Sequence, residues 1–236
     1  MFSSISSPMQ QLALDFGLAP LPSLTNFVPL GNEAALEHVA LWAGNPLRSP
    51  VPTYLWGEGG CGKTHLLRAV AATLQGQGGR IGWLDAATWQ PQPFDDDWVA
   101  VVMDDCHLFT AEQQAAAFNW FVNAQTPAQG RARWVLAAGA LPPADLRLRD
   151  DLRTRLGWGQ VFHLQALDEA ERRGVLRRAA DERGVHLSDE VMAFLLNRFS
   201  RDLSSLMQLL AMLDEYALRT QRVITIPLVK SMLENT

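Results

Sequence analysis

The feature that most constrains the fold of this chain is the segment Gly57–Thr64, which reads G-x-x-x-x-G-K-T. An apolar run, residues 53–56, leads into it, and a helix-forming run that starts at His65 follows. A strand, a glycine loop and a helix N-terminus in this order cradle phosphate, because glycine permits the tight turn and the helix dipole favours negative charge. Lys63 is expected to reach the outer phosphates of a nucleotide, and the Thr64 hydroxyl to ligate Mg²⁺. The predicted phosphate contacts are Gly57, Gly59, Gly60, Cys61, Gly62, Lys63, Thr64 and His65.

A second motif supports this interpretation. Residues 99–105 form an apolar run that ends in two carboxylates, Asp104 and Asp105. This is the Walker B form, in which the strand-end acid and the hydroxyl of the phosphate loop hold Mg²⁺ together. The two motifs therefore predict a nucleotide-binding P-loop protein whose metal site comprises Thr64, Asp104 and Asp105.

The same glycines allow one rival interpretation. They also spell G-x-G-x-x-G, and Asp85 follows at about the spacing of the ribose-binding acid in a dinucleotide site. The lysine and threonine of the loop and the acidic strand end have no role in such a site, so the P-loop is favoured. Asp85 is then expected to end an ordinary second strand.

Composition limits the remaining classes. The chain has 236 residues, 48% of them hydrophobic and 19% charged, which is typical of a globular protein of one domain or two packed subdomains. No apolar run approaches membrane length, so a cytoplasmic protein is expected. The two cysteines, Cys61 and Cys106, lie beside the phosphate and metal motifs and do not indicate a disulfide framework. A net charge of −5 does not favour direct sequence-specific DNA binding, which usually needs a basic face.

The pattern of apolar runs divides the chain into three regions. Residues 1–24 form a tail expected to be flexible, and residues 25–165 alternate strands and helices as in an α/β base with a parallel sheet. Residues 166–236 contain only helices and form a small lid. The five predicted strands are 53–56, 80–84, 99–104, 134–138 and 161–164, and the base helices lie near 33–42, 63–74, 111–124 and 146–156.

Helix-end signals place the elements of the lid. Asp168 and Glu171 form a capping box that opens its first helix, which Gly184 ends. Ser188 caps a second helix, and Pro227 opens the last one. A third helix, about 203–219, carries Leu206, Leu209, Leu210 and Leu213 on one face, and this stripe is expected to be packed in a core.

A P-loop base followed by a lid, with the Gly-Trp-Gly element 157–159 just before it, resembles the AAA+ superfamily and, within it, the family of the bacterial replication initiator DnaA. Residues 25–32 resemble the segment beside the adenine, and residues 151–159 resemble the arginine-finger box. The resemblance covers about residues 25–236 and implies an adenine nucleotide, ADP or ATP, with Mg²⁺ and a possible homo-oligomer. It places Phe27 and Val28 at the nucleotide, and Arg155, or alternatively Arg153, as a finger acting on a neighbour's ATP.

The tail carries a further resemblance. Residues 11–16 resemble the hexapeptide that docks on the bacterial sliding clamp, through Gln11, Leu12, Leu14 and Phe16. The chain ends at Thr236, where the initiator family continues into a helix-turn-helix domain, so no such domain is expected. Together these features resemble the regulatory branch of the family. They imply a clamp-associated regulator, placed at the nucleoid by the clamp, that stimulates hydrolysis of the initiator's ATP and prevents over-initiation. Alternatively, the tail residues cover the base as a first strand.

The sequence departs from the family where intrinsic hydrolysis is concerned. The segment after the fourth strand, residues 137–143, offers no polar side chain to position an attacking water. Ser204 stands where the family has a lid arginine, although Arg201 lies nearby. We therefore expect nucleotide binding with slow turnover, which leaves open whether the chain is an enzyme in its own right. The alternatives are a DnaC-like helicase loader with its own ATPase activity and a nucleotide-gated module that tethers another partner to the clamp.

Overall fold

The computed structural model describes residues 21–45, 51–127, 130–199, 203–220 and 222–234, and within these ranges it describes the backbone but not the side chains of Ser204, Leu233 and Glu234. The predicted clamp peptide, with Gln11, Leu12, Leu14 and Phe16, lies outside the described residues, as does Arg201. The chain forms two compact units that part between Ala166 and Leu167. Within the described ranges we find no helix with the length and apolar character that a bilayer span requires.

The first unit is built on five strands in one sheet, and every neighbouring pair runs parallel. The strand order is β2-β3-β4-β1-β5, so β4 lies between β1 and β3. The predicted five-stranded parallel sheet is confirmed, with each strand within one residue of its predicted ends. The strands are β1 Thr53–Trp56, β2 Arg80–Leu84, β3 Trp98–Met103, β4 Trp134–Gly139 and β5 Gln160–His163.

Helices cover both faces of the sheet, as a parallel sheet requires. The base helices are α1 Glu33–Ala43, α2 Lys63–Gly76, α3 Ala111–Gln125 and α4 Asp150–Leu156. Successive strand residues point to opposite faces: Tyr54 packs into the cluster that contains α3 and α4, while Leu55 packs into the cluster that contains α1 and α2. Both side chains are fully buried, and all six residues of β4 are buried.

The start of α4 was predicted wrongly. The helix begins at Asp150 and not at Leu146, because residues 146–149 enter it as a non-helical segment after a short 3₁₀ helix, Pro143–Asp145. Leu146 and Leu148, whose apolar pattern predicted a helix, are instead buried from this segment in the core beside α3 and α4. The carboxylates at the start of α4 favour its N-terminus there.

The second unit contains α5 Glu169–Glu182, α6 Asp189–Arg198, α7 Leu203–Thr220 and α8 Ile226–Glu234. Asp168 accepts a hydrogen bond from the backbone of Glu171 at 2.8 Å, and Glu171 accepts one from the backbone of Asp168 at 2.8 Å, so the predicted capping box is present. The leucine stripe of α7 lies in the core of this unit, as predicted: Leu206, Leu209, Leu210 and Leu213 are all buried.

Candidate nucleotide-binding site and arginine site

The loop between β1 and α2 has the backbone conformation of a phosphate cradle. Gly62, the residue before α2, has φ of +96°, a region that L side chains rarely adopt. A Cβ atom at this position would also lie 2.6 Å from the Phe27 ring. Only glycine therefore fits where the loop meets the N-terminus of α2, whose first backbone N–H groups are available for an anion.

The loop lysine is held inside the loop. Lys63 is 8% exposed, and its Nζ donates hydrogen bonds to the carbonyl oxygens of Gly57 at 2.7 Å and of Glu58 at 2.9 Å. Nζ also lies 3.5 Å from the sulfur of Cys61, which is buried. The ammonium charge is thereby fixed at the centre of the glycine segment, where phosphate oxygens would meet it.

The structure brings Thr64 and Asp104 together from two different elements. The Thr64 hydroxyl donates to Asp104 Oδ2 at 2.7 Å, and the backbone N–H of Asp105 donates to Asp104 Oδ1 at 2.9 Å. Burial raises the pKa of the Asp104 carboxyl above its ordinary value, against the opposing hydrogen bond from Thr64. A hydroxyl and a carboxylate oxygen are ligands that Mg²⁺ prefers, so this pair fits a metal bound with nucleotide.

Asp105 differs from its neighbour. Its backbone has φ of +50°, the only positive value at a non-glycine residue in the described part of the chain. Asp tolerates this conformation better than most residues, at some cost in free energy. Its carboxylate makes no hydrogen bond within the described residues, so it is near the Thr64–Asp104 pair without being part of it.

The entry segment lies against the loop. The Phe27 side chain is 9% exposed, and its ring centroid is 5.7 Å from that of His65 on α2. The His65 Nε2 is within 3.1 Å of the Ser23 carbonyl oxygen. Phe27 and His65 therefore lie beside the loop, and Val28 next to them is half-buried; contact of these residues with a nucleotide stays a prediction.

Asn32 anchors this segment in a way that sequence reasoning did not identify. Its Oδ1 accepts from the backbone N–H of Gln165 at 2.8 Å, and its Nδ2 donates to the carbonyl oxygen of the same residue at 2.9 Å. A side-chain amide can pair with a main chain in this two-way manner, but nothing in the local sequence indicates the partner.

The carboxyl end of β4 lies between the loop and Asp104, because β4 pairs with both β1 and β3. A Cβ atom at Gly139 would collide with the hydroxyl of Tyr54, which donates to the carbonyl oxygen of Leu141 at 2.9 Å. The next residue, Ala140, donates its backbone N–H to His107 Nδ1 at 3.2 Å. Tyr54 thus excludes a side chain at position 139, the last residue of β4.

Asp85 is fully engaged in the turn after β2. Its carboxylate accepts from the Thr88 hydroxyl at 2.8 Å, from Trp83 Nε1 at 3.0 Å and from the Ala87 backbone at 3.1 Å. The buried Gln113 amide also donates to the carbonyl oxygens of this turn. This use of Asp85 supports the P-loop interpretation over the dinucleotide one.

The two candidate fingers on α4 differ in their partners. Arg153 Nη2 forms an ion pair with Asp150 Oδ1 at 2.8 Å. The Arg155 guanidinium has no ion pair or hydrogen bond within the described part of the chain, and it lies over three aromatic rings. Its carbon Cζ is 5.1 Å from the Phe118 centroid, 5.2 Å from that of Trp158 and 5.9 Å from that of Phe121.

The Gly-Trp-Gly element has a structural explanation. The backbone N–H of Trp158 donates to the carbonyl oxygen of Arg155 at 3.1 Å, which closes the turn after α4. A Cβ atom at Gly159 would collide with the carbonyl oxygen of Pro52, the same oxygen that accepts from the Gln160 backbone at 2.9 Å. Glycine at 159 therefore lets the chain pass the start of β1 and join the sheet as β5.

Two family models match parts of this chain, one within each compact unit. The model of the Hda lid domain matches residues 168–233, and the model of the bacterial DnaA ATPase domain matches residues 23–90. Domain III of the Thermotoga maritima replication initiation protein DnaA is similar in structure, with a TM-score of 0.65 and 20% identity over 92% of this chain and 98% of that one.

Two further solved structures share the fold. The AMPPCP-bound DnaA from Aquifex aeolicus has a TM-score of 0.61 and 21% identity over 85% of this chain and 68% of that one. A point mutant of RuvB from Thermotoga maritima has a TM-score of 0.56 and 19% identity over 92% of this chain and 73% of that one. At these identities the structures show the shared fold, and the two family-model matches relate the chain to DnaA and to Hda. The chain is an Hda-like, DnaA-homologous AAA+ protein.

Proposed function

We propose that this chain is a clamp-associated regulator that stimulates hydrolysis of ATP bound to a DnaA-type initiator and thereby prevents over-initiation of replication. The observation that carries the proposal is the Arg155 guanidinium, which has no ion pair or hydrogen bond among the described residues. A charge with free donors at the end of a helix is suited to act on a group outside its own chain. The matches to the Hda lid domain and to the DnaA ATPase domain support a DnaA-type initiator as that partner.

An arginine supplied in trans neutralises charge that develops on the transferred phosphoryl group. In GTPases such fingers raise the rate by about 10³–10⁵. Arg155 is a better candidate for this finger than Arg153, because Asp150 already engages part of the Arg153 guanidinium. The planar guanidinium fork matches phosphate oxygens, which a lysine cannot reproduce.

The chain's own nucleotide site is proposed to set its conformation. The segment Gly57–Thr64 would cradle the phosphates of ADP or ATP with Lys63 at the centre, and Phe27 would lie at the adenine side. When bound, Mg²⁺ would neutralise phosphate charge beside Thr64 and Asp104. Support comes from the AMPPCP bound by the Aquifex aeolicus DnaA. The lack of a polar side chain in residues 137–143 supports slow turnover in this site, and the chain would then act chiefly on its partner's ATP.

The clamp contact rests on the sequence of residues 11–16. An extended segment can lie in a groove with Gln11 hydrogen-bonded and Leu12, Leu14 and Phe16 in apolar pockets. Each buried side chain contributes about 1.5–3 kcal/mol, and ordering the tail offsets part of the total. A ring-shaped clamp that presents several grooves would strengthen the attachment.

The test measures hydrolysis of ATP preloaded on the cognate initiator, with clamp loaded on DNA. Wild type is compared with Arg155→Ala, with the tail variant Gln11→Ala/Leu12→Ala, and with Arg153→Ala as a matched control on the same helix. We expect stimulation by wild type and Arg153→Ala, and its loss in the other two. Absence of stimulation by wild type would remove the regulatory function.

A DnaC-like helicase loader with its own ATPase is the second candidate. The observation that favours it is the Thr64–Asp104 pair, which gives the chain both groups needed to hold Mg²⁺. Steady ATP turnover by the chain alone, abolished by Lys63→Ala and accompanied by binding to the replicative helicase, would establish this candidate in place of the first. A third outcome, in which Arg155→Ala has no effect although the clamp is bound, would leave a tethering module.

A further inference from the structure

Three aromatic rings surround the arginine that the proposed function assigns to the initiator's ATP. Phe118 and Phe121 lie on α3, and Trp158 follows α4; their centroids are 5.1, 5.9 and 5.2 Å from Arg155 Cζ. We call these three residues the aromatic bracket. All of them belong to the same compact unit as Arg155. The distances lie within the range in which a ring face attracts a cation.

A ring face restrains a guanidinium differently from a carboxylate. The face attracts the positive charge through its quadrupole, and it accepts none of the five N–H donors that lie in the guanidinium plane. A carboxylate occupies donors and neutralises charge, as Asp150 does with Arg153. The bracket therefore holds the Arg155 side chain while its donors stay available for phosphate oxygens.

The rings of Phe118 and Phe121 are fixed by the packing of α3, whereas only the backbone of Trp158 is fixed beside them. Phe121 is fully buried, and Phe118 precedes it by three residues, so both point from the same side of α3. Trp158 is tied by its backbone N–H to the carbonyl oxygen of Arg155, and Gly159 holds the following residues against Pro52. Yet Trp158 is 65% exposed, so core packing does not explain a tryptophan at this position.

A second arginine orients the central ring. Arg149 Cζ lies 5.3 Å from the Phe118 centroid, so this ring contacts two guanidinium groups. Arg149 is fixed in turn, since its Nη2 pairs with Asp151 at 2.7 Å and its backbone N–H donates to Gln114 at 2.9 Å. The ring of Phe118 thus has a defined orientation before any partner is present.

We propose that Phe118 and Trp158 are positioning residues for Arg155, which they hold in place with its donors free before the initiator binds. This inference rests on the proposed function, because it assigns the bracket to the same trans hydrolysis. It predicts that loss of a ring lowers the rate at saturation without weakening the complex. The rate is affected because an unrestrained arginine must be ordered in the transition state.

The test compares Phe118→Leu and Trp158→Leu with the ring-preserving variants Phe118→Tyr and Trp158→Phe. The readout is the hydrolysis of initiator-bound ATP as a function of regulator concentration, on DNA-loaded clamp. We expect each leucine variant to lower the maximal rate about fivefold with an unchanged half-saturating concentration, and each aromatic variant to retain most of the rate. Trp89→Leu is the matched control, because Trp89 is 94% exposed and lies in the turn after β2.

A double-mutant cycle separates positioning from other roles. In an Arg155→Ala background, Phe118→Leu should cause no further loss, because the ring acts only through Arg155. A further loss in that background, or a raised half-saturating concentration with an unchanged maximal rate, would overturn the inference in favour of a docking or structural role. Thermal unfolding of each variant identifies any that simply fails to fold.

A measurement without the initiator distinguishes this inference from the proposed function. The Nε–H proton of Arg155, assigned with Arg155→Lys, should show a ring-current shift in NMR spectra that decreases in Phe118→Leu, because Phe121 and Trp158 remain, and that persists in Phe118→Tyr. If Arg155→Ala stimulates hydrolysis normally, the proposed function fails whatever the spectrum shows. If Arg155→Ala is inactive but Phe118→Leu leaves both the shift and the maximal rate unchanged, only the bracket fails.

Discussion

The nucleotide loop and the Arg155 site differ in how the positive side chain of each is hydrogen-bonded. In the loop, Lys63 is buried and donates to two carbonyl oxygens of its own segment. At the end of α4, Arg155 is half-buried against rings that accept none of its hydrogen bonds. The Lys63 ammonium is held inside the loop, where a phosphate group would bind. The Arg155 guanidinium keeps its donors free for a group of another molecule. The same fold therefore carries one site suited to binding and one suited to acting on a partner.

The largest effect is expected from a change that keeps the charge at the second site. Arg155→Lys removes the planar fork while retaining the cation, so we expect stimulation of the initiator's hydrolysis to fall by about 10²-fold or more. The variant's own affinity for ADP, measured with a fluorescent analogue, should be unchanged. Full stimulation by Arg155→Lys would show that only charge matters and would weaken the contrast between the two sites.

The loop is tested by removing its lysine. Lys63→Ala should lower the affinity for ADP by about 10- to 100-fold, since hydrogen bonds to charged groups are worth about 1.5–3 kcal/mol. Isothermal titration calorimetry measures the change directly. Lys230→Ala in α8 is the control, because it removes the chain's other lysine from the second compact unit. Unchanged affinity in Lys63→Ala would show that the loop is not the nucleotide site.

A smaller effect is expected from Gly159→Ala, which acts on the turn that carries Trp158. The added Cβ would collide with the Pro52 carbonyl oxygen, so we expect the free energy of unfolding to fall by about 1–3 kcal/mol. Gly174→Ala in α5 is the matched control, because open space surrounds that position and alanine favours the helix. Denaturant unfolding measures both; equal stability in Gly159→Ala would show that the turn can move.

The smallest effect concerns Asp85, which the P-loop interpretation excludes from the nucleotide site. Burial acts to raise the pKa of this carboxyl, but hydrogen bonds from Thr88, Trp83 and Ala87 outweigh it and lower the pKa below its ordinary value. Because the pKa is lower in the folded state than in the unfolded state, the ionised carboxylate stabilises the fold at pH values above the unfolded-state pKa. This contribution disappears as the pH falls through the folded-state pKa. Asp85→Asn should therefore cost a little stability at neutral pH and nothing in strong acid, as denaturant unfolding at several pH values would show.

The nucleotide affinity of this variant provides the second readout. It should equal that of wild type, because the Asp85 carboxylate is engaged in its own turn. A large loss of affinity in Asp85→Asn would revive the dinucleotide interpretation.

Much of the fold was predictable because local signals determine it. The strands follow from short apolar runs, and the loop and the Asp104 strand end follow from motifs whose chemistry fixes residue types. The start of α4 was not predictable, because Leu146 and Leu148 are buried in the core from a non-helical segment. Their spacing therefore resembled a helical pattern.

The surroundings of Arg155 could not be predicted for a different reason. Phe118 and Phe121 are separated from it along the chain by β4 and a 3₁₀ helix, and only the packing of α3 beside α4 brings them together. Trp158 belongs to the Gly-Trp-Gly motif of the sequence, but its exposure and its contact with Arg155 depend on the fold. The local sequence identifies Arg155 as a candidate, but only tertiary packing determines whether its N–H donors are free.

The position of Tyr54 has a consequence for how this protein could change over time. Any side chain at Gly139 meets the Tyr54 hydroxyl, and that hydroxyl is itself bonded to the Leu141 carbonyl oxygen. A lineage that gained a polar residue at 139 would first have to lose the tyrosine, and loss of this fully buried ring alone leaves a cavity in the α3/α4 core. Neither single step is favourable, so a polar side chain at position 139 requires two coupled substitutions on the neighbouring strands β1 and β4.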